Sequence, residues 1–456
     1  MARRGKQPMH VAITDNFKKL PNDVIQHILS FLPLKNAAQT SILSKRWRHL
    51  WKELLKHANI LEFGQGLAST LTREEYADYL DYILLNHKAD KIDTFRIFFY
   101  PGLAYTEVAR KWIEIVTSKE VEEIDLNFRG NPRRDKDQGL VASRTLKFLP
   151  DCFYSCSSIT SLRLTSSAFL PPSNFQGFTN LRCLYLCGVN ISGETITKII
   201  DNSLVLISLE INACGPLNET RIESNLLKRV TLDCCWYAMD TTLYAPYIDY
   251  LNFVGRLSDM PELEDVESLR EAIIHVMDEL GPIGGENLFK FLKELRHVRK
   301  LDLILKCYPR HLLRRAPNIT FRNLRELELH CFISQDDSED IRLFFTGCRF
   351  PRMEKFTIRL PSGNLTWVSG VQTTFIHEES QAFLQFNFRR LRQIKIINFM
   401  GREHEMQVLE LLLERSPILE ILVLEFEVAD ALTEAITNRL WSMPRASPAA
   451  KIVLIS

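Results

Sequence analysis

The residues of this chain that could carry out chemistry do not form a catalytic pattern. His330 lies near Cys331 and Cys348, but no third residue is placed to orient a cysteine–histidine pair. The glycines between positions 281 and 285 have neither the Gly-x-Gly-x-x-Gly order of a nucleotide-binding loop nor a following Lys-Ser/Thr. Gly-x-Ser-x-Gly and His-Glu-x-x-His motifs do not occur. We therefore expect no catalytic residues and a protein that is not an enzyme.

The cysteines do not predict a metal site either. Cys152 and Cys156, like Cys183 and Cys187, are spaced four apart, whereas a persuasive zinc site needs two tight Cys-x-x-Cys pairs. The ten cysteines are spread through a long chain without an export signal, so we expect them to be reduced. The sequence thus indicates no metal and no cofactor.

Composition excludes further classes of function. The 456 residues are 46% hydrophobic, which is ample for the buried core of two to four domains. The 57 basic and 56 acidic residues give a net charge of +1, which argues against nucleic-acid and membrane partners. No stretch approaches 18 consecutive apolar residues, and the N-terminus lacks the apolar run of a secretory signal. These features favour cytoplasmic or nuclear localisation, or both.

The elements that would position a functional surface begin at residues 20–51. Apolar residues recur there at the three-and-four spacing of a helix that starts near Pro21 and stops at Pro33. A second helix is predicted from Leu34 to Ile42, and a third from its N-cap Ser44 through Leu54. Such a small unit buries little core, so its remaining apolar side chains predict a neighbouring domain or a partner.

The same stretch resembles the F-box, in particular the plant version. The resemblance rests on Leu20-Pro21, Asp23, Ile25, Ile28-Leu29, Phe31-Leu32-Pro33, Ala37-Ala38, Leu43-Ser44, Arg46-Trp47 and Leu50-Trp51. It implies binding to the Skp-type adaptor of cullin-RING ubiquitin ligases through an interface of standard size. The adaptor-binding residues that it implies are Leu20, Pro21, Ile25, Ile28, Leu29, Leu32, Pro33, Leu34, Leu43 and Trp47. Trp47 and Leu50 could equally hold the three helices together, and the stretch could be only a helical cap on the next domain.

From about residue 90 the chain repeats an apolar-x-x-apolar-x-apolar pattern at intervals of about 21 to 38 residues. The clearest copies begin at Leu181, Leu206, Leu227, Ile248, Val298 and Leu324, and weaker ones at Ile92, Val121, Ile159, Leu269, Met353, Leu391 and Leu419. The last two apolar positions of each copy alternate with polar residues, as on one face of a strand. Because so short a strand cannot stand alone, stacked copies predict a curved parallel sheet.

These copies resemble leucine-rich repeats, and the fold expected is α/β. Cys214 and Cys235, eight residues after the start of their copies, match the Asn/Cys site of that family. Cys187 and Cys331 fall out of register, and we expect them to be buried small side chains. Helical spacing predicts outer-face helices at 105–117, 286–296 and 406–413, and loops are predicted at 131–139, 170–178 and 361–374.

The last 75 residues resemble the FBD domain that ends many plant F-box proteins. The resemblance predicts strands at 391–399, 419–426 and 451–455 and a helix at 405–416, which we interpret as an end cap for the open edge of the solenoid. The domains expected are a flexible basic tail (1–16), the F-box (17–56), a leucine-rich-repeat solenoid (57–380) and the FBD domain (381–456).

A recognition surface is expected on the exposed side of the strands. The outward side chains lie two, four and six positions after the first apolar residue of each copy. The residues that we expect to bind a target protein are Arg163, Tyr185, Glu210, Arg229, Tyr250, Glu326, Glu328, Lys355 and Arg359. Mixed charges of this kind also occur on faces that are merely solvated.

Together these features favour a substrate-recognition subunit of an SCF-type ubiquitin ligase. The F-box would hold the Skp-type adaptor, and through it the cullin and the RING protein, while the repeats hold an unidentified target. Two alternatives remain: a scaffold that binds the adaptor without delivering a substrate, and a hydrolase with an unrecognised site.

Overall fold

The computed structural model describes residues 20–32, 34–100, 102, 104–129, 149–235, 238, 240–277, 284–305, 319–330, 345, 347–360, 387–427 and 433–455. They belong to two compact units, the first ending at Ile159 and the second continuing from Thr160. The expected basic tail and the loops expected at 131–139 and 361–374 lie outside the described residues.

The first unit begins with three helices and continues into a small parallel sheet. Its helices are α1 (Asn22–Ser30), α2 (Leu34–Gln39), α3 (Lys45–Leu55), α4 (Gln65–Ala68), α5 (Arg73–Asn86), α6 (Thr106–Thr117) and α7 (Asp151–Tyr154). Its strands are β1 (Ile60–Phe63), β2 (Thr94–Phe98) and β3 (Glu123–Asn127). The strands pair in parallel in the order β1-β2-β3.

The predicted three-helix arrangement is confirmed. A short 3₁₀ helix, Thr40–Ile42, follows α2 and completes the second predicted helix. Ser44 is the N-cap of α3, and its hydroxyl accepts a hydrogen bond of 3.3 Å from the Trp47 N–H. Helix α1 already ends at Ser30, and the predicted stop, Pro33, lies outside the described residues.

The second unit is dominated by a large parallel sheet. Its strands are β4 (Ser161–Thr165), β5 (Cys183–Cys187), β6 (Ser208–Asn212), β7 (Arg221–Glu223), β8 (Arg229–Asp233), β9 (Thr242–Tyr244), β10 (Tyr250–Gly255), β11 (Glu262–Glu264), β12 (Glu271–Val276), β13 (Lys300–Leu305), β14 (Ile319–Thr320), β15 (Glu326–His330), β16 (Cys348–Arg349), β17 (Lys355–Arg359), β18 (Gln393–Phe399), β19 (Ile421–Phe426) and β20 (Lys451–Ile455). Its helices are α8 (Gly193–Asn202), α9 (Gly284–Glu294), α10 (Glu403–Glu414) and α11 (Glu434–Ser442).

Within this unit the large sheet has the order β4-β5-β6-β8-β10-β12-β13-β15-β17-β18-β19-β20. Every adjacent pair is parallel, and equivalent positions of successive copies face each other, as Leu184, Leu209 and Val230 do. All the predicted copies are strands: those at Ile92 and Val121 are β2 and β3, and the others lie in this sheet. Strand β1 was not predicted.

The segments that return the chain from one strand to the next are of two kinds. The three predicted helices are confirmed as α6, α9 and α10. Between β6 and β12, however, the returns contain the short strands β7, β9 and β11, which form a separate parallel sheet. Ile222, Leu243 and Leu263 are the buried residues at the centres of these strands. Strands β14 and β16 form a further two-stranded sheet.

Left-handed backbone follows several strands at the point where the chain turns away. Ala213 and Cys234 come directly after β6 and β8 and have φ values of 50° and 49°. The next residues, Cys214 and Cys235, are both buried. Cys187, which was predicted to be buried, is only half-buried, and Cys331 lies outside the described residues. The Cys235 thiol donates to the Ile211 carbonyl at 3.2 Å, and the Cys214 sulfur accepts from the Val189 N–H at 3.4 Å. These thiols therefore tie neighbouring turns together.

The C-terminal elements match the FBD prediction closely, but the expected closure is incomplete. Strands β18, β19 and β20 and helix α10 lie where they were predicted. Among the described residues, β19 is the single strand neighbour of β20. Ile452 and Leu454, which occupy inward positions, are only half-buried, and β20 is the last strand of the sheet in the part of the chain that the structure describes. No helix in the described ranges is both long and apolar enough to cross a membrane.

Substitution of Gly193 provides a test of how closely helix α8 packs in the second unit. A Cβ at Gly193, the first residue of α8, would overlap the Asn218 carbonyl oxygen and the Thr220 hydroxyl. Because a backbone atom cannot move aside cheaply, we expect Gly193→Ala to lower the free energy of unfolding by about 1–3 kcal/mol. The comparison variant is Gly64→Ala, whose new Cβ meets nothing within 4 Å. Equal urea midpoints for the two variants would contradict the contact.

Candidate functional site

Helix α1 has apolar residues on two adjacent faces, and only one face is buried by the unit itself. Ile25 and Leu29 are fully buried. Val24, Ile28 and Phe31 form a second stripe at i, i+4 and i+7, and all three are exposed, Phe31 by 74%. Apolar exposure of this size on a small helical unit indicates a partner surface.

The exposed stripe is accompanied by two residues after α2. Ile42, which ends the 3₁₀ helix, is 86% exposed, and Leu43 is 55% exposed. We refer to Val24, Ile28, Phe31, Ile42 and Leu43 together as the outer apolar residues. Val24, Phe31 and Ile42 were missing from the predicted adaptor-binding set. The apolar periodicity of α1 marks the first two, whereas Ile42 has no periodic signal because it lies in a single 3₁₀ turn.

The structure assigns a different role to three residues of the predicted adaptor-binding set. Ile25, Leu29 and Trp47 are buried within the unit, so they hold the helices together and are not available for direct contact. Of the remaining residues, Pro21, Ile28 and Leu43 are exposed, Leu20 and Leu32 are half-buried, and Leu34 begins α2.

Hydrogen bonds from α3 decide which face of α1 points inward. The Arg46 guanidinium donates to the Asn22 side-chain carbonyl at 2.7 Å and to the Leu20 backbone carbonyl at 2.5 Å. These bonds connect the start of α3 to the start of α1, and the two helices pack against each other. Charge-assisted bonds of this kind are directional, so they restrict the rotation of α1 about its axis. The arginine thereby helps to hold Ile25 and Leu29 inward and Val24 and Ile28 outward on α1.

The division of α1 into two faces is testable by truncation. We expect Ile25→Ala to destabilise the three helices by about 2–4 kcal/mol, because it leaves a cavity in a closed core. Ile28 is 36% exposed, so Ile28→Ala removes a side chain that is only partly covered and should cost clearly less, about 0.5–1 kcal/mol. Hydrogen exchange of the α1 and α3 amides in the full chain measures both effects. Equal exchange in the two variants would contradict the assigned faces.

The outward side of the large sheet consists of continuous rows of side chains, because the parallel register aligns equivalent positions. One row runs Arg163, Tyr185, Glu210, Thr231, Asn252, Ile273, Asp302, Glu328, Thr357 and Lys395. A second row contains Arg229, Tyr250, Glu271, Lys300, Glu326 and Lys355. The residues expected to bind a target all lie on this side, but they fall into two groups with different surroundings.

The first group, on β4 to β10, pairs arginines with tyrosine rings. The Arg163 guanidinium lies 4.0 Å from the centre of the Tyr185 ring, and that of Arg229 lies 4.2 Å from the centre of the Tyr250 ring. Partial burial raises the pKa of both tyrosines, so they stay neutral. Each arginine therefore forms a cation–π pair with the tyrosine of a neighbouring strand. Glu210 lies beside Tyr185 in the register.

The second group, on β12 to β19, is a network of ion pairs between neighbouring strands. Lys300 lies 2.5 Å from Glu271, Lys355 lies 2.9 Å from Glu326, and Arg359 lies 3.0 Å from Glu328. The hydrogen bond to Glu271 raises the pKa of Lys300. Exposed pairs of this kind contribute only about 0–1 kcal/mol each to stability. Their main effect is to neutralise the charges of this part of the face.

Three potential metal ligands meet within the second group, but a neighbouring cation argues against a metal there. Ligand atoms of Asp302, Glu328 and His330 all lie within 4.8 Å of one another. The Arg359 guanidinium also donates to Glu328 through Nε at 3.1 Å. A fixed positive charge on a prospective ligand repels a metal ion, so we interpret the cluster as part of the ion-pair network.

The suggested cysteine–histidine pair does not form in the described residues. Cys348 is buried on β16, and burial raises the pKa of its thiol to about 12, so it is not a thiolate at neutral pH. His330 instead faces carboxylates, with its Nε2 3.2 Å from Asp302 Oδ1. Cys331 and positions 281–283 lie outside the described residues, and Gly284 and Gly285 begin helix α9.

Two protein-family models match this chain. The model described as At1g61320/AtMIF1, LRR domain, matches residues 83–447. The F-box domain model matches residues 17–59, a range that contains all the outer apolar residues.

Relatives in Arabidopsis thaliana cover most of the chain. The putative FBD-associated F-box protein At1g61330 is 24% identical over 90% of this chain and 90% of its own length. The FBD-associated F-box protein At4g10400 is 30% identical over 75% of this chain and 85% of its own length. The F-box/LRR-repeat protein At5g02910 is 30% identical over 63% of this chain, and the matched region covers 60% of that relative's own length.

Proposed function

This chain belongs to the plant F-box/FBD/LRR-repeat family, and on that premise we propose that it is the substrate-recognition subunit of an SCF-type ubiquitin ligase. In this role the F-box binds the Skp-type adaptor, which links the chain to the cullin and the RING protein. The leucine-rich repeats bind a target protein. The complex would act in the cytoplasm, the nucleus or both.

The observation that carries the proposal is the set of outer apolar residues. Phe31, Ile42 and Leu43 are each more than half exposed, and Val24 and Ile28 are more than a third exposed. The unit has nevertheless closed its own core around Ile25, Leu29 and Trp47. Burying a side chain such as Phe31 or Ile42 against a partner contributes about 1.5–3 kcal/mol. A few such anchors are enough to hold a standard-size interface together.

The proposed role requires no chemistry from this chain. Tethering a target beside a ubiquitin thioester replaces a bimolecular encounter with a local one, at an effective concentration on the order of millimolar. The arginine–tyrosine group offers the sheet face best suited to hold the target. Arginine and tyrosine are among the residues that most often dominate the binding energy of protein interfaces.

Adaptor binding is tested by removing exposed apolar surface without touching the core. The triple variant Ile28→Ser, Phe31→Ser, Leu43→Ser should lose at least about 100-fold in affinity for a Skp-type adaptor, because three contacts of the interface centre disappear. Purified full-length chain and adaptor can be compared by surface plasmon resonance. The matched control is Leu204→Ser, which removes a side chain that is 76% exposed outside the F-box range.

The control should bind the adaptor like the parent chain. Undiminished binding by the triple variant, with its helices intact by circular dichroism, would show that the outer apolar residues do not form the adaptor interface.

Target delivery is tested with the same triple variant in plant cells. A chain that holds its target but cannot reach the ligase should accumulate that target, so proximity labelling should enrich proteins whose abundance is higher than with the parent chain. Adding Arg229→Ala and Tyr250→Ala should reduce the labelling of those proteins by about tenfold or more. If the labelled proteins are equally abundant with both chains, the scaffold alternative is favoured and target delivery is wrong.

A further inference from the structure

A row of arginines lies at the edge of the large sheet where the strands begin. Arg270, Arg299 and Arg325 directly precede β12, β13 and β15, which are neighbours in the sheet. The Arg299 N–H donates to the Arg270 carbonyl, and the Arg325 N–H donates to the Arg299 carbonyl, both at 2.8 Å. The three arginines are therefore adjacent across the strands. Because neighbouring strands lie about 4.8 Å apart, the row is about 10 Å long.

A second row of arginines precedes the first by three residues. Arg296 and Arg322 each begin an Arg-x-x-Arg sequence, which ends at Arg299 or Arg325. The Arg322 N–H donates to the Arg296 carbonyl at 3.0 Å, so these two residues are also adjacent. We refer to Arg270, Arg296, Arg299, Arg322 and Arg325 as the basic rim. All five are exposed, so the basic rim presents a dense positive charge on one edge of the second unit.

Most of the charge of the basic rim is not neutralised. Arg270 lies 3.6 Å from Asp249, and Arg325 lies 3.6 Å from Glu354. The side chains of the other three arginines form no ion pair and no hydrogen bond among the residues that the structure describes. By contrast, Lys300 on β13 lies 2.5 Å from a glutamate of the neighbouring strand. The basic rim thus differs from the ion-pair network that begins one residue further along the same strands.

The arginines of the basic rim repel one another. Like charges at directly adjacent positions of a sheet are destabilising, and here arginine lies beside arginine across three strands. An anion that binds between the guanidinium groups removes this repulsion and forms charge-assisted hydrogen bonds with them. The arrangement therefore favours an acidic partner over solvent alone.

The length of the row indicates which class of anion binds. The corresponding positions on the next strand to either side are Asp249, before β10, and Glu354, before β17. A long polyanion such as a nucleic acid would pass these carboxylates and be repelled, whereas a short acidic stretch fits between them. An extended protein segment advances about 3.3 Å per residue, so three or four acidic residues span the row.

We propose that the basic rim binds a short acidic segment of a partner protein, whose aspartate or glutamate carboxylates are held by the guanidinium groups. Arginine matches a carboxylate with two parallel N–H donors, which makes it well suited to this contact. The inference deepens the proposed function and rests on it for the identity of the partner, which would be the target. Binding of an acidic segment does not itself require the adaptor, so it can be tested separately.

The test measures the binding of two rhodamine-labelled peptides to the full-length chain by fluorescence anisotropy. The acidic peptide is Gly-Ser-Gly-Asp-Asp-Asp-Asp-Gly-Ser-Gly, and in the neutral peptide asparagines replace the aspartates. We expect the parent chain to bind the acidic peptide at least about tenfold more tightly at low salt, because charge-assisted hydrogen bonds require the carboxylates. The difference should narrow as the salt concentration rises.

Variants locate the binding. The double variant Arg299→Gln, Arg322→Gln should weaken binding of the acidic peptide by about tenfold or more. Its urea midpoint should be unchanged or higher, because these side chains lose no partner among the described residues. The matched control Arg110→Gln, Arg221→Gln removes the same charge from α6 and β7 and should bind like the parent. Charge reversal, Arg299→Glu with Arg322→Glu, should instead favour a peptide in which lysines replace the aspartates.

Three results would overturn the proposal. Two are equal affinities of the parent for the acidic and neutral peptides, and equal affinities of the two glutamine double variants for the acidic peptide. The third is tighter binding of rhodamine-labelled pentathymidylate, which carries the same number of backbone charges as the acidic peptide has aspartates, since it would identify the partner as a nucleic acid. The triple variant of the outer apolar residues should bind the acidic peptide like the parent, so failure of adaptor binding and failure of the basic rim are distinguishable.

Discussion

The rest of this protein depends on the parallel register between successive strands. Each repeat copy contributes only a few inward apolar residues, such as Leu209 and Ile211 of β6. These residues are shielded on both sides by their register partners on β5 and β8. A single strand of this kind would lose more conformational entropy than its two buried side chains return, so each copy folds only against its neighbours.

The same register that buries one side of the sheet arranges the other. Because partners align residue by residue, outward side chains meet their equivalents on adjacent strands at the strand spacing of about 4.8 Å. Where a glutamate on one strand lies beside a lysine on the next, as Glu271 and Lys300 do, the two charges neutralise each other. Where an arginine on one strand lies beside a tyrosine on the next, as Arg229 and Tyr250 do, the guanidinium group lies over the tyrosine ring. The charge and shape of the outward face are thus set by which residue types become neighbours across copies.

The sequence predicted the elements with strong periodicity and missed those without it. Strands β4 to β6 follow from leucines and isoleucines at fixed offsets, and helix α10 from its apolar spacing. Strand β1 was missed because its copy starts at Ala58, and β7, β9 and β11 because each offers one buried residue. In the F-box, spacing alone could not separate Ile25 from Ile28. The hydrogen bonds of Arg46 to Asn22 and Leu20 help to orient α1 so that Ile25 is buried and Ile28 is not. These bonds join residues that are 24 and 26 positions apart, so no local pattern reveals them.

If a partner covers the apolar stripe on α1, as proposed, that stripe would also affect how much of this protein a cell can maintain. A partner that covers Val24, Ile28 and Phe31 binds the folded chain and not the unfolded one, so it shifts the folding equilibrium by mass action. Chain made in excess of that partner keeps the stripe in water, where it favours self-association. The supply of the partner would therefore set an upper limit on the soluble protein, and the abundance of the two would rise and fall together.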